Sequence, residues 1–420
     1  MTKYLSAMRE VNRDVRLVFI ADTGIGLTFF GGIYTVLLNL YLLRMGFPTP
    51  QIGLVNSTGL LTVGVFAPLA GAVGSKWSLK KALTIGLSCT VVSMFLLPFA
   101  DLLPASVRMP WVVTTFVAAY AGFTLYMVNI SPYLMAATSP ELRTHVFAVR
   151  FALFPVGAFA GSVVAGLLPG LFARTLDLSL DPPAAYRFSL MAGALLLVPA
   201  IAAAASLRDY RTSEDTPANE GSDASAARFG SSVAVTAIVI CTALSFLHTQ
   251  AEGVVRTFFN VYLDTELLAA PALIGTLSAA GQLLAAAASL ATPFLTARFG
   301  VLPVITGGTA LKAVALLSFA VVRNWAGAGL GFAAMIAASS FVRPPFIVLQ
   351  QSMVDTRDRP AMSAATTAAA GLGFSLSAFA GGFVAASWGF RMLFGLAAVV
   401  ALTTTLYVWT VLRPKVAYRS

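Results

Sequence analysis

The chain alternates long apolar stretches with short polar ones, and the lengths of the apolar stretches answer to a single physical requirement. They cover residues 17–43, 50–74, 80–103, 109–137, 145–173, 185–207, 232–263, 271–297, 302–323, 325–354, 360–386 and 389–412. A helix rises 1.5 Å per residue, so about 20 residues cross a hydrocarbon layer about 30 Å thick. The strict apolar–polar alternation of barrel strands is not seen in these stretches. The pattern predicts an all-α polytopic membrane protein with twelve transmembrane helices. The first run is longer than the apolar core of a signal peptide and is not followed by a small-residue cleavage site, so it reads as a retained helix.

Composition agrees with the pattern. The 420 residues are 58% hydrophobic and 10% charged, with a mean hydropathy of +0.84, whereas soluble domains carry roughly a quarter charged residues. The net charge of +10 raises the question of a polyanionic partner, and its distribution answers it. Seventeen Lys and Arg side chains, among them Lys3, Arg13, Lys81, Arg143, Arg211, Arg359 and Lys415, fall on one side of the twelve-span arrangement. Six fall on the other: Arg44, Arg108, Arg174, Arg187, Arg323 and Arg391. The excess is topological and predicts a protein of the cytoplasmic membrane with both termini in the cytoplasm; nucleic acid is not an expected partner. Cys89 and Cys241 lie within spans and read as small buried hydrophobes. No metal-ligand spacing and no cofactor motif is present.

The segment 208–230, RDYRTSEDTPANEGSDASAARFG, is the one long polar stretch. Its composition is that of a flexible linker, dividing the chain into residues 1–207 and 231–420. The two halves resemble each other at a shift of about 221 residues. Asn39–Leu42 (NLYL) matches Asn260–Leu263 (NVYL), and Pro50–Gly53 (PQIG) matches Pro271–Gly275 (PALIG). Gly59 meets Gly281, Lys76 meets Arg298, and Gly86 meets Gly308. Further on, GAFAGSVVAG from Gly157 parallels SAFAGGFVAA from Ser377, with Gly161 and Gly381 as points of close helix approach. Two parallel six-helix repeats joined by a linker are an architecture of secondary transporters.

On these features the chain resembles the major facilitator superfamily over essentially its full length, which implies two pseudo-symmetric six-helix bundles. In that family the loop after the second span carries a glycine, an Asp-Arg pair and a Gly-Arg-Lys. Here it reads GAVGSKWSLKK, with Gly71, Lys76 and Lys80 at matching positions and Ser75 and Ser78 in place of the aspartate and second glycine. The second-half loop, PFLTARFGVL, matches at Arg298 and Gly300 and has Ala297 at the acidic position. The resemblance makes these residues cytoplasmic gating elements, or anchors for anionic lipid heads, without the family's acidic latch. Tyr120 stands where many proton-driven members have an arginine.

A charge within hydrocarbon costs a few kcal/mol, so it must be paired or face water. His248, Glu252, Arg256 and Asn260 follow one another at intervals of four, which stacks them on one helical stripe. Glu252 and Arg256 either neutralise each other as a structural pair or line a cavity, with Glu252 as a protonatable or cation-binding group and Arg256 as substrate anchor. Arg343 lies mid-span before Pro344 and Pro345, which are expected to kink or break that helix. It is expected to contact an anionic substrate group or Glu252, with a structural role as the alternative. In the first half Asp22 is expected to pair with Arg16 or Arg150, Asn39 lies near the outer end of its span, and Asn129 is the counterpart of Arg343. Lys312, on a span that the family places at the periphery, is expected to snorkel or pair with a neighbour.

The expected function is secondary active transport of a small organic solute by alternating access. An excess of buried cations favours an anionic or zwitterionic substrate, and proton or sodium is the candidate coupling ion. Abundant Phe, Met and Ala leave open efflux of amphipathic or drug-like compounds, and a transporter-like sensor or lipid-handling protein is a further alternative. With two histidines and no nucleophile–base arrangement, the chain is not expected to be an enzyme. Membrane lipids and the small-molecule substrate are the expected partners, and a monomer the expected state.

Overall fold

The computed structural model of the chain describes residues 12–210, 232–355 and 358–412, with the side chains of residues 74–76, 140–141, 144–145, 148, 152, 232–233 and 360 outside that description. Much of the predicted linker and the side chain of Lys76 therefore fall outside the described residues. The elements are α1 (Arg13–Thr28), α2 (Ile33–Arg44), α3 (Thr49–Lys76), α4 (Leu79–Leu96) with a 3₁₀ extension (Leu97–Leu102), α5 (Ala105–Ala137) and α6 (Pro140–Thr175). They continue with α7 (Ala184–Leu195), α8 (Val198–Ala205), α9 (Ser232–Thr265), α10 (Pro271–Phe299), α11 (Val301–Val321), α12 (Trp325–Ser352) and α13 (Arg359–Tyr407), closed by a π turn (Val408–Leu412).

Eleven continuous stretches are long and apolar enough to cross a membrane, and the last, Ala361–Leu412, is 52 residues long. It holds two legs that meet at Gly389, whose φ of 80° lies in the left-handed region that glycine enters without a Cβ clash. Twelve crossing segments result among the described residues. Helix starts are set by side-chain caps: Asn12 Oδ1 accepts from Val15 N–H at 2.9 Å, and Asn324 Oδ1 from Gly327 N–H at 2.7 Å, each satisfying an amide that the helix leaves without a partner. Large apolar side chains such as Val65, Leu290, Phe294 and Val321 are exposed, as expected of a surface whose solvent is lipid.

Two expectations about helix continuity are corrected. The first apolar run is not one helix: it breaks over Phe29–Gly32, at the sequence FFGG. Gly31 takes φ 98°, its N–H donates to Thr35 Oγ1 at 2.7 Å, and its carbonyl accepts from Ser162 Oγ at 2.9 Å. The polar groups freed by the break thus find partners inside the protein, the condition for irregular backbone at membrane depth. Conversely α12 is not broken at Pro344–Pro345 but runs on from Trp325 to Ser352. Two adjacent prolines delete two N–H donors, yet their fixed φ is helical.

The chain forms two compact units: Met1–Phe47, Leu61–Ser213 and Ala270–Ala279 make the first, and Pro48–Leu60, Glu214–Ala269 and Ala280–Ser420 the second. Each therefore includes one short segment from the opposite side of the linker, and both segments carry the repeated Pro-x-x-Gly or Pro-x-x-x-Gly sequence. In the first unit a Cβ on Gly275 would lie 2.6 Å from Gly166 Cα and 2.6 Å from Ser162 O. In the second, a Cβ on Gly53 would collide with the Ala378 carbonyl, and Thr49 Oγ1 donates to Gly382 O at 3.1 Å. These contacts require glycine because backbone meets backbone.

In the first unit the chain leaving α8 is fastened to the start of α1. Asp14 accepts from Arg208 N–H at 3.3 Å and from Tyr210 Oη at 3.2 Å, while Tyr133 Oη donates to Arg208 O at 3.1 Å. Partial burial, and then the adjacent Asp14 charge, raise the Tyr210 phenol above its ordinary range.

Candidate functional site

The stripe on α9 has the geometry that four-residue spacing requires. His248, Glu252 and Asn260 are buried, and Arg256 is half-buried. Arg256 Nε donates to Glu252 Oε1 at 2.7 Å, the intrahelical pair that the i,i+4 spacing allows. Glu252 is not closed off by that pair, because its second oxygen faces Lys312 Nζ at 4.0 Å.

Of the two fates expected for Lys312, snorkelling is not the one the structure shows. The lysine side chain is 2% exposed, and Nζ lies 3.0 Å from His248 Nε2 and 3.5 Å from Nδ1. The similar distances put the nitrogen alongside the imidazole rather than in line with a single lone pair. The alternative reading, pairing with a neighbour, is the one the geometry follows. The signal available in the sequence was a lysine in the middle of an apolar run, which at membrane depth calls for a partner.

Arg343, on α12, is exposed, and among the described residues no ion pair or hydrogen bond occupies its guanidinium. It shares a cavity of about 170 Å³ with His248 and Glu252, walled by Phe346, Phe374 and Thr366. The cavity lies within the second unit, between α9, α12 and α13. Gln350, buried, donates to Ser245 Oγ at 3.0 Å and closes one side. Thr249 Oγ1 lies 3.1 Å from Ala370 O and joins α9 to α13. The wall is thus mixed: a guanidinium, a carboxylate and an imidazole, with two phenyl rings and hydroxyls between them.

Among the described charges, Arg343 and Glu252 line the cavity, and two further cations, Arg256 and Lys312, lie against Glu252. Arginine cannot shed its proton in a protein, so two of the three cations are permanent. A cluster with more positive than negative groups attracts an anion.

The first unit carries a second buried charge site. Asp22, 1% exposed, accepts from Arg150 Nε at 2.6 Å and from Tyr126 Oη at 3.0 Å. Of the two partners expected for Asp22, Arg150 holds this contact. Here one acid meets one base and a hydroxyl fills the remaining oxygen. Asn129 is engaged structurally, its Nδ2 donating to Ala70 O at 3.1 Å and to Leu125 O at 2.9 Å, which ties α5 to α3. Asn39 is buried on α2.

Of the loop residues, Gly71 lies within α3 and Lys80 in the first turn of α4. Arg298 occupies the last turn of α10, where a cation meets the negative end of the helix dipole; its guanidinium sits 5.4 Å from the Phe299 ring centre. Gly300, with φ 87°, turns the chain into α11. Cys89 and Cys241 are free thiols.

With this geometry in hand, the chain can be compared with known proteins. The family model described as Major Facilitator Superfamily matches residues 21–251 and 239–420. A sequence comparison with curated proteins finds no match. Among solved structures, the chain is similar to a point mutant of the nucleoside transporter NupG, with 15% identity, TM-score 0.74, and coverage of 95% of this chain and 99% of that one. It is similar to a bacterial homologue of the human lysosomal transporter Spinster, in an inward-facing and occupied conformation, with 13% identity, TM-score 0.74, and coverage of 96% and 97%. The inward-open xylose transporter XylE from E. coli gives 14% identity, TM-score 0.73, and coverage of 94% and 96%.

Proposed function

The chain belongs to the Major Facilitator Superfamily, and from that premise we propose that it is a secondary active transporter of small organic anions with an apolar body. One observation carries this reading: a guanidinium without a protein partner among the described residues, Arg343, opens onto a cavity whose other charged lining residue, Glu252, is already paired with Arg256. A carboxylate entering there gains a charge-assisted hydrogen bond and reduces the surplus of positive charge. Phe346 and Phe374 offer the apolar wall against which the body of the substrate packs. The wall thus accommodates the amphipathic alternative as well, within a single class of amphipathic anion.

Transport proceeds by alternating access in the cytoplasmic membrane, with the two six-helix halves (residues 1–207 and 231–420) as the moving bodies and the basic loops inside the cell. Glu252 with Arg256 in the second half is the charge pair whose rearrangement accompanies the change of access, while Asp22 with Arg150 holds the first half together. Lys80 and Arg298 act near the cytoplasmic ends of the gates. The protein works as a monomer, and an ion gradient drives it.

The test is uptake of labelled benzoate and labelled glucose into proteoliposomes holding the purified protein. Benzoate is expected to accumulate and glucose is not, and Arg343→Ala is expected to remove benzoate uptake. Benzoate uptake that is undiminished in Arg343→Ala would reject the assignment.

A further inference from the structure

Lys312 is not needed to explain anion binding. It does not line the cavity, and His248 stands between it and the open space. Yet a lysine sealed at 2% exposure, in a segment that crosses a membrane, is costly if permanently charged. Its surroundings offset only part of that cost, because the one carboxylate that faces it is shared with Arg256. An ammonium has three hydrogens to donate; within hydrogen-bond reach lie the His248 ring nitrogens at 3.0 and 3.5 Å. The Glu252 carboxylate is at 4.0 Å, beyond that reach, with its other oxygen engaged by Arg256 at 2.7 Å.

The charged and titratable groups acting on Lys312 are His248, Glu252 and Arg256 from α9 and Arg343 from α12; α13 turns Thr366 and Thr367 into the same cavity. Of the three cations in this set, Lys312 alone can give up its proton, because arginine does not. When the cavity is empty, loss of that proton lowers the positive surplus. When an anion sits by Arg343, the surplus is already lower, and an ammonium on Lys312 is stabilised. Proton and anion occupancy are then linked, each raising the affinity for the other by the same factor.

Resting on the anion-transport reading above, we infer that Lys312 is the group that carries the coupled proton, and that His248 relays it between the cavity and the lysine. The relay is balanced at each step. A proton from cavity water joins the imidazole, the imidazole passes one proton to the lysine amine, and release of the anion drives the reverse sequence. The parts lie within reach: His248 lines the cavity and its ring rests against Nζ, and a turn of the ring brings one nitrogen into line with the amine for the transfer. The site thereby couples one proton to one anion in the same direction without requiring a carboxylate to titrate.

The experiment is calorimetric titration of the purified full-length protein in detergent with benzoate, repeated in buffers of different ionisation enthalpy, from mildly acidic to mildly alkaline conditions. The expected result is uptake of up to about one proton per benzoate bound. In Lys312→Arg, which keeps the charge but not the releasable proton, benzoate is expected to bind with no net uptake. In His248→Gln the stoichiometry is expected to survive while proton-driven flux in proteoliposomes slows. Binding of benzoate to the wild type with no proton uptake at any pH overturns the inference and leaves anion transport standing. Unchanged uptake in Lys312→Arg moves the proton elsewhere and likewise overturns it. Absence of benzoate binding removes the anion reading itself, and this inference with it. The wild-type measurement decides the matter even if a variant fails to fold.

Discussion

The two buried charge sites are built from similar parts and differ in stoichiometry. In the first unit, Asp22 is matched by Arg150 at 2.6 Å and completed by the Tyr126 hydroxyl at 3.0 Å, so every strong group has a partner. In the second, Glu252 is shared between Arg256 and Lys312, while Arg343 stands open on a cavity beside it. A balanced pair in a low-dielectric interior needs nothing from outside, and breaking it costs more than forming it gained. An unbalanced set is incomplete without a ligand or a change in protonation. The contrast therefore separates a site that serves cohesion from one that serves binding, although an acid and a base sit at the centre of each.

Substitutions at both sites test that contrast, and the largest effect belongs to the closed site. Asp22→Asn leaves Arg150 buried without its counter-charge, and a loss of about 3–5 kcal/mol in stability is expected, read as a lower midpoint of thermal unfolding in detergent. The double variant Asp22→Asn with Arg150→Gln is expected to recover most of that loss, because two neutral amides replace the ion pair. If the single variant unfolds at the wild-type temperature, the first site is not the cohesive element argued here.

The open site is expected to behave in the opposite manner. Arg343→Ala removes an exposed side chain with no protein partner among the described residues, so its melting midpoint should stay close to wild type. Benzoate affinity, in contrast, should fall by about 1.5–3 kcal/mol, roughly 10- to 100-fold, the range for a hydrogen bond to a charged group. Glu252→Gln sharpens the comparison because it enlarges the imbalance. The variant is expected to lose about 1–3 kcal/mol when empty, and saturating benzoate should raise its melting midpoint by more than it raises that of the wild type. An equal ligand-induced rise in both proteins would mean that the cation surplus does not govern binding.

How much of this was legible in the sequence depends on whether a signal was local. Spacing of four along one apolar run is a property of one helix, so the stripe from His248 to Asn260 was readable, as was the Glu252–Arg256 contact. Arg343 stood out because a mid-span cation demands a partner or a cavity. The span count followed from length and hydropathy, including the division of the last apolar stretch into two legs, which meet at Gly389. What was not legible depends on how one helix is rotated against another. α11 is apolar on nearly every side, so no pattern of polar positions indicated that Lys312 faces α9. The same register that aligns Asn39 with Asn260 puts Gly31 opposite Glu252. One half breaks its helix at the position where the other places its acid, and no repeat analysis reveals which half does so. Two prolines suggested a break in α12 that helical φ values made unnecessary, whereas the actual break at FFGG required Ser162 and Thr35 to receive its freed backbone groups.

The smallest expected effect lies at the Tyr126 hydroxyl. Tyr126→Phe keeps the ring and its packing but removes one donor from Asp22, whose other oxygen remains held by Arg150. The cost is that of a single hydrogen bond, about 1 kcal/mol, well below the loss expected for Asp22→Asn, because the charge pair survives. A similar deletion at the open site gives the control: Ser245→Ala removes the acceptor of Gln350 at 3.0 Å and alters no charge there either. Both variants should therefore bind benzoate as the wild type does. If Tyr126→Phe weakens benzoate binding while Ser245→Ala does not, the closed site takes part in recognition, and the division of labour between the two sites has to be redrawn.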